Sequence, residues 1–193
     1  MGRPCSFDRD DVIRKAMTVF WDKGYASTSV QDLVEATGLQ RGSLYNAFGD
    51  KAGLFDAVLM AYTADNPSTR FIRVAGTAPP KEAIHTLFNG LLEAALTFGE
   101  GRGCLVSSVL SARGEGAHEC EKTIGDAYAA LGRALKRAIT RGQKDGSISR
   151  HHNAAALAHF LNSAVHGLSA GARSGMGPKA LRDTVKVTLS ALD

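Results

Sequence analysis

The residues best suited to chemistry fall in one short run, Arg41-Gly42-Ser43-Leu44-Tyr45-Asn46-Ala47-Phe48. Leu44 and Phe48 stand four apart, the spacing of a single helix face, and should look into a core. Arg41, Ser43, Tyr45 and Asn46 then point outward. An arginine so placed can pair with a guanine edge or a phosphate, and an asparagine can reach an adenine edge or the backbone. Tyr45 and nearby Lys51 suit phosphate oxygens. Thr28 and Ser29 open another short helical run, where first-turn backbone N–H groups also bind phosphate. Together these residues suit nucleic acid, with phosphate contacts setting register and base contacts setting sequence preference.

Helices must position them. Val12, Ile13, Ala16, Val19 and Phe20 recur at helical spacing, behind Asp8, Asp10 and Asp11, whose carboxylates favour a helix N-terminus. Gly24 ends that helix. Thr28-Ser29-Val30-Gln31-Asp32 offers a capping box for a second, short helix, with Val30, Leu33 and Val34 inward and Gly38 as its stop. Only Leu39 and Gln40 separate that stop from the Arg41–Phe48 helix. Two short helices across a glycine-containing turn read as a helix-turn-helix, whose second helix lies in the major groove. Asp50 should cap a fourth helix from Lys51, burying Leu54, Phe55, Val58 and Leu59. Asn66-Pro67-Ser68 and then Gly76 to Pro80 break the pattern. Longer helices follow, through Ile84, Leu87, Phe88, Leu91, Leu92 and Ala95, and through Ile124, Ala127, Tyr128, Leu131, Leu135, Ala138 and Ile139. Residues 153–173 are rich in Ala, Leu and Gly, and Pro178 suits the first turn of a last helix. No strand pattern is evident. The expected fold is all-α.

Bulk properties constrain less. The chain has 193 residues, 44% of them hydrophobic, and a net charge of +4. Residues 1–55 carry seven Lys/Arg and seven Asp/Glu, so the nucleic-acid argument rests on where charges sit, not on their sum. No apolar run approaches the roughly 18 residues of a membrane span. Three cysteines make no disulfide framework. A cytoplasmic protein with free thiols, no cofactor and no membrane partner is expected.

Other reactive residues have bland readings beside the sharp ones. Cys104, beside Arg102 at an expected helix start, is either a low-pKa thiol sensor or a small buried hydrophobe. Cys104, His118 and Cys120 do not match a metal-ligand spacing. His159 and His166 share a helix face and suit packing or pocket hydrogen bonds. Arg133, Lys136, Arg137, Arg141 and Lys144 read as a solvated face.

Residues 8–55 resemble the N-terminal domain of TetR-family regulators. The resemblance is carried by Phe20, Gly24-Tyr25, Thr28-Ser29-Val30, Leu33, Ala36-Thr37-Gly38-Leu39, Gly42-Ser43-Leu44-Tyr45, Phe48, Lys51 and Leu54-Phe55, after a leading Gly2-Arg3-Pro4. It implies a sequence-specific regulator, a ligand-relieved repressor that binds a pseudo-palindromic double-stranded DNA operator as a homodimer. It also brings Arg3 and Gln40 into the DNA-contacting set. Two positions depart from the pattern: Gln40 stands where Ser or Thr is common, and Cys5 where a basic residue is common. Residues 1–55 would form the DNA-binding domain. Residues 56–193 would form a helical domain for dimerisation and for a small-molecule inducer of unknown identity. Phe88, Leu92, Tyr128, Asn162 and His166 fall on inward faces and are the expected pocket residues, with Cys104 beside them. Ala154, Ala155, Ala158, Ala164, Gly167 and Ala170 would let the last two helices approach their twins. The competing classes are an all-helical enzyme and a protein-binding adaptor. The first lacks a nucleophile–base pair or phosphate loop at a known spacing, and the outward Arg/Ser/Tyr/Asn set argues against the second.

Overall fold

The computed structural model describes residues 7–64, 66–97, 105 and 118–193, with the side chains of 118–124 left aside. Every regular element among them is a helix. These are α1 (Arg9–Lys23), α2 (Val30–Thr37), α3 (Arg41–Phe48), α4 (Lys51–Ala64), α5 (Pro67–Val74), α6 (Pro80–Thr97), α7 (His118–Asp145), α8 (Ala154–Arg173) and α9 (Pro178–Ser190). The all-α expectation holds. Among the described residues no helix is long and apolar enough to cross a membrane.

The chain divides into two compact units, Met1–Ala64 with Ser108–Lys122, and Asp65–Ser107 with Thr123–Asp193. The first unit therefore extends past residue 55, where the sequence places its end. The reason is α4, which packs against α1 and buries Leu54, Phe55, Val58 and Leu59. An aromatic cluster forms the centre of this unit. The Phe20 and Phe55 rings meet edge to face at 4.7 Å, and Tyr25 lies 4.8 Å from Phe55. Burying a side chain of this size is worth roughly 1.5–3 kcal/mol.

Capping follows the sequence closely. The Asp8 carboxylate accepts from the amides of Asp10 and Asp11 at the start of α1. Ser29 and Asp32 form a reciprocal capping box on α2. Asp50 accepts from Gly53 N at the start of α4. Gly38 ends α2 at φ 72°, a left-handed conformation that a side chain would strain.

In the second unit, α6, α7, α8 and α9 share one apolar core with Phe71 and Ala75 from the α5 region. Ile84, Leu87 and Phe88 of α6 meet Leu131, Leu135 and Ile139 of α7, Leu161, Val165 and Leu168 of α8, and Leu181 and Val185 of α9 within it. Four assignments need correction. Ala127 and Tyr128 are exposed on α7. Arg141 is not part of a solvated face: it is half-buried and donates to the carbonyls of Ala75 and Thr77, tying the α5–α6 connection to α7. Ala158 is a core residue of α8.

Candidate nucleic-acid interface

The short helix α3 has the two faces that its sequence requires. Leu44 and Phe48 are buried, while Arg41, Ser43 and Asn46 are exposed and Tyr45 is half-buried. The helix is held at both ends. Before it, Gly38-Leu39-Gln40 makes the turn from α2, and Gln40 takes the N-cap backbone conformation without a side-chain cap bond. At the far end, Arg9 Nη1 donates to the Ala47 carbonyl at 3.0 Å and the guanidinium lies 4.4 Å from the centre of the Phe48 ring. Arg9 thereby pins the C-terminus of α3 to α1. Nothing in the sequence pattern singled out Arg9, because its partners lie almost forty residues away.

On the exposed face, Arg41 and Tyr45 touch. Arg41 Nη2 donates to the Tyr45 hydroxyl at 3.2 Å, and the guanidinium carbon lies 5.4 Å from the ring centroid.

Two of the expected phosphate contacts sit differently. Thr28 is 1% exposed, and its hydroxyl donates to the Gly24 carbonyl at 2.7 Å. Its side chain builds the α1–α2 connection and cannot reach outward. Its exposed neighbour Ser29 is the cap, accepting from Asp32 N at 3.1 Å, while Asp32 accepts from Ser29 N at 2.8 Å. Asp32 is also 2.7 Å from the Lys23 ammonium. The Lys23 bond, aided by those from Ser29, lowers its pKa to about 2. Lys51 also turns inward. Its ammonium donates to the carbonyls of Tyr25 and Thr28, both at 2.8 Å, and sits over the Tyr25 ring. Partial burial pulls its pKa below the usual lysine range. The outward cation expected there is an internal strut joining α4 to the loop before α2.

The expected pocket residues lie in the second unit, and three of them meet. The Tyr128 and His166 rings are 4.8 Å apart, and Asn162 Nδ2 approaches the Tyr128 carbonyl at 3.4 Å. Asn162 is 3% exposed, and its Oδ1 has no hydrogen-bond partner among the described residues. Burial holds the His166 imidazole below its ordinary pKa. Phe88 is absorbed into the core and Leu92 is half-buried beside it. A separate open groove of about 880 Å³ is lined by Lys81, Glu82, His85, Arg141 and Asp145 among others, and by none of the expected pocket residues. Arg3 and Cys104 lie outside the described residues, as do the side chains of His118 and Cys120. No group of three or more metal-ligating side chains occurs among the described residues.

A bihelical turn that presents an exposed Arg/Ser/Tyr/Asn face from a helix anchored on its other side defines a helix-turn-helix regulator. Residues 12–58 match the family described as bacterial regulatory proteins, tetR family. The HTH-type transcriptional repressor ComR of Escherichia coli (strain K12) is 32% identical, over 97% of this chain and 90% of the relative. An uncharacterized HTH-type transcriptional regulator of Bacillus subtilis (strain 168), YezE, is 30% identical over the full length of both. A cysteine mutant of the TetR-family regulator CifR, complexed with 26-bp double-strand operator DNA, superposes with a TM-score of 0.84 at 30% identity, covering all of both chains. The chain belongs to the TetR family of transcriptional regulators.

Proposed function

We propose that this protein is a transcriptional repressor that binds a pseudo-palindromic operator as a homodimer and is released by a small molecule. The observation that carries the reading is α3: exposed Arg41, Ser43 and Asn46 with half-buried Tyr45, set on buried Leu44 and Phe48. The names of the relatives support it, since ComR is called a repressor and the CifR structure holds operator DNA.

Arg41, Ser43 and Asn46 are the base-reading residues in this proposal, and Tyr45, Gln40, Ser29 and Arg3 the backbone contacts. Lys51 and Thr28 serve the interface from inside, by fixing the loop that carries the α2 N-terminus. Dimerisation belongs to α8 and α9. Ala156, Phe160, Ser163, Gly167 and Ala170 form an exposed stripe at helical spacing on α8. Phe160 is 48% exposed there, and Val187 of α9 is 68% exposed. Large apolar side chains in that position favour a covered face. The stripe keeps Gly167 and Ala170 of the expected set, of which Ala158 is buried and Ala154 and Ala164 lean on the core.

The inducer site centres on Tyr128, Asn162 and His166. The orphaned Asn162 Oδ1 supports this, because buried acceptors are normally paired.

An electrophoretic shift assay with DNA from upstream of the gene tests the core of the reading. Saturable binding that survives excess unrelated DNA is the expected result. A chain that binds only protein, or catalyses a reaction without binding DNA, would give no shift.

A further inference from the structure

The two side chains that meet on the exposed face of α3 are one turn apart, at the spacing where helical neighbours interact. Arg41 donates to the Tyr45 hydroxyl and lies against the Tyr45 ring. Among the described residues no carboxylate forms an ion pair with Arg41. The guanidinium is therefore oriented by tyrosine and not by an acid, so its full charge remains available to DNA.

We propose that Arg41 and Tyr45 read DNA as one coupled unit, with Tyr45 the positioning residue that aims Arg41 at a guanine. The inference rests on the base-reading role given to Arg41 above. Arginine offers five N–H donors in a planar fork, and the tyrosine oxygen takes up one of them. The remaining donors suit the O6/N7 edge of guanine. A long exposed side chain loses rotamer freedom when it docks. The bond and the ring contact restrict those rotamers beforehand, which is preorganisation. The hydroxyl gains as well. It accepts from a cation, which polarises its own O–H and strengthens that proton as a donor to a phosphate oxygen. The base contact and the backbone contact thus reinforce each other through one oxygen atom.

A double-mutant cycle tests this. Wild type, Arg41→Ala, Tyr45→Phe and the double variant are titrated with a duplex of the upstream sequence. The same set is titrated with duplexes in which each guanine of the half-site is replaced in turn. Circular dichroism and a thermal melt check that each variant is folded. Tyr45→Phe keeps the ring and removes only the hydroxyl. It should weaken binding and also reduce, several-fold, the preference for the guanine that Arg41 reads. The double variant should bind at least about fivefold better than the product of the single losses implies. Two results would overturn the proposal, and they differ. If Arg41→Ala leaves base preference unchanged, Arg41 is not a base reader and the coupling falls with that reading. If Arg41→Ala shifts preference but the losses multiply, Arg41 remains a reader and Tyr45 is an independent phosphate contact. In that second case Tyr45→Phe weakens all duplexes alike.

Discussion

The Lys51 ammonium lies 4.4 Å from the centre of the Tyr25 ring while donating to the Tyr25 carbonyl at 2.8 Å. A second bond of 2.8 Å reaches the Thr28 carbonyl. One cation thus satisfies two carbonyls of the α1–α2 loop and a ring face, and it ties them to the first residue of α4. The loop it braces delivers Ser29 and the N-terminus of α2. The role of this lysine in binding is therefore indirect.

Replacing Lys51 by Ala should accordingly lower stability more than it changes the electrostatics of binding. Hydrogen bonds to charged groups are worth about 1.5–3 kcal/mol; partial exposure places the expected loss at the lower end of that range. Denaturant unfolding measures it. The slope of operator affinity against salt should barely move. A drop of about one unit in that slope, with stability intact, would restore a direct phosphate contact.

The Asp32 carboxylate should make its mark in acid. Its folded pKa is about 2, held down first by the Lys23 bond and then by those from Ser29. The unfolded value is near 3.9. A depressed carboxylate contributes stability that is fully present above the unfolded pKa and lost as pH falls through the folded one. The contribution should therefore fade between about pH 4 and pH 2. In Asp32→Asn the melting temperature should be lower at pH 7, and the gap to wild type should close in that window. An unchanging gap from pH 7 to pH 2 would mean that the charge on Asp32 is irrelevant.

Much of the first unit was legible because its signals are local. Leu44 and Phe48 share a helix face by spacing alone, Ser29 and Asp32 are a cap by position, and Gly38 sits where a left-handed turn is needed. What sequence could not show was the direction of long side chains. Lys51 and Thr28 read as polar residues near DNA, but Lys51 turns to carbonyls more than twenty residues away and the Thr28 hydroxyl is taken by the Gly24 carbonyl. Arg9 was overlooked for the same reason. In α8 the difficulty was phase. Alanine and glycine occur on every side of residues 154–172, so small size does not reveal which side is buried. Phe160 marks the exposed face, and the structure was needed to place it.

That phase selects Gly167 from the expected small residues and adds Phe160, and both lead to a dimer prediction. A Cβ added at Gly167 meets nothing within 4 Å, so a larger side chain there leaves the fold of one subunit intact. Gly167→Glu should yield a folded monomer, and Phe160→Glu should behave alike. Sedimentation at micromolar concentration reads the mass. Operator affinity should fall at least tenfold with it, since two half-sites one helical turn apart need both modules. A Gly167→Glu variant that stays dimeric would move the interface elsewhere.

The inducer site makes the last prediction, and it turns on Asn162. A buried acceptor without a partner costs about 1–3 kcal/mol. A ligand that brings an N–H or O–H to Oδ1 recovers that cost, and Asn162 shares its helix with His166, whose ring meets that of Tyr128. Leucine has the heavy-atom count and branching of asparagine and no polar atom. Asn162→Leu should therefore leave the ligand-free protein as stable as wild type, or more so, while removing the response to ligand. A thermal-shift screen of small hydroxyl- and amine-bearing compounds supplies the probes, and those that raise the wild-type melting temperature should fail to raise that of the variant. The response should also depend on pH in a definite direction. His166 is held below its ordinary pKa of 6.5 by burial, so the folded protein keeps it neutral after the unfolded chain has begun to protonate. Stability from this group is present above pH 6.5 and erodes as pH falls through the folded value. Ligand shifts that need a neutral imidazole should hold from pH 8 through 6.5 and decline only as pH falls through the lowered folded value. Compounds that stabilise Asn162→Leu as strongly as wild type would remove Asn162 from the site. In that case the open groove beside Lys81 and His85 becomes the next place to look.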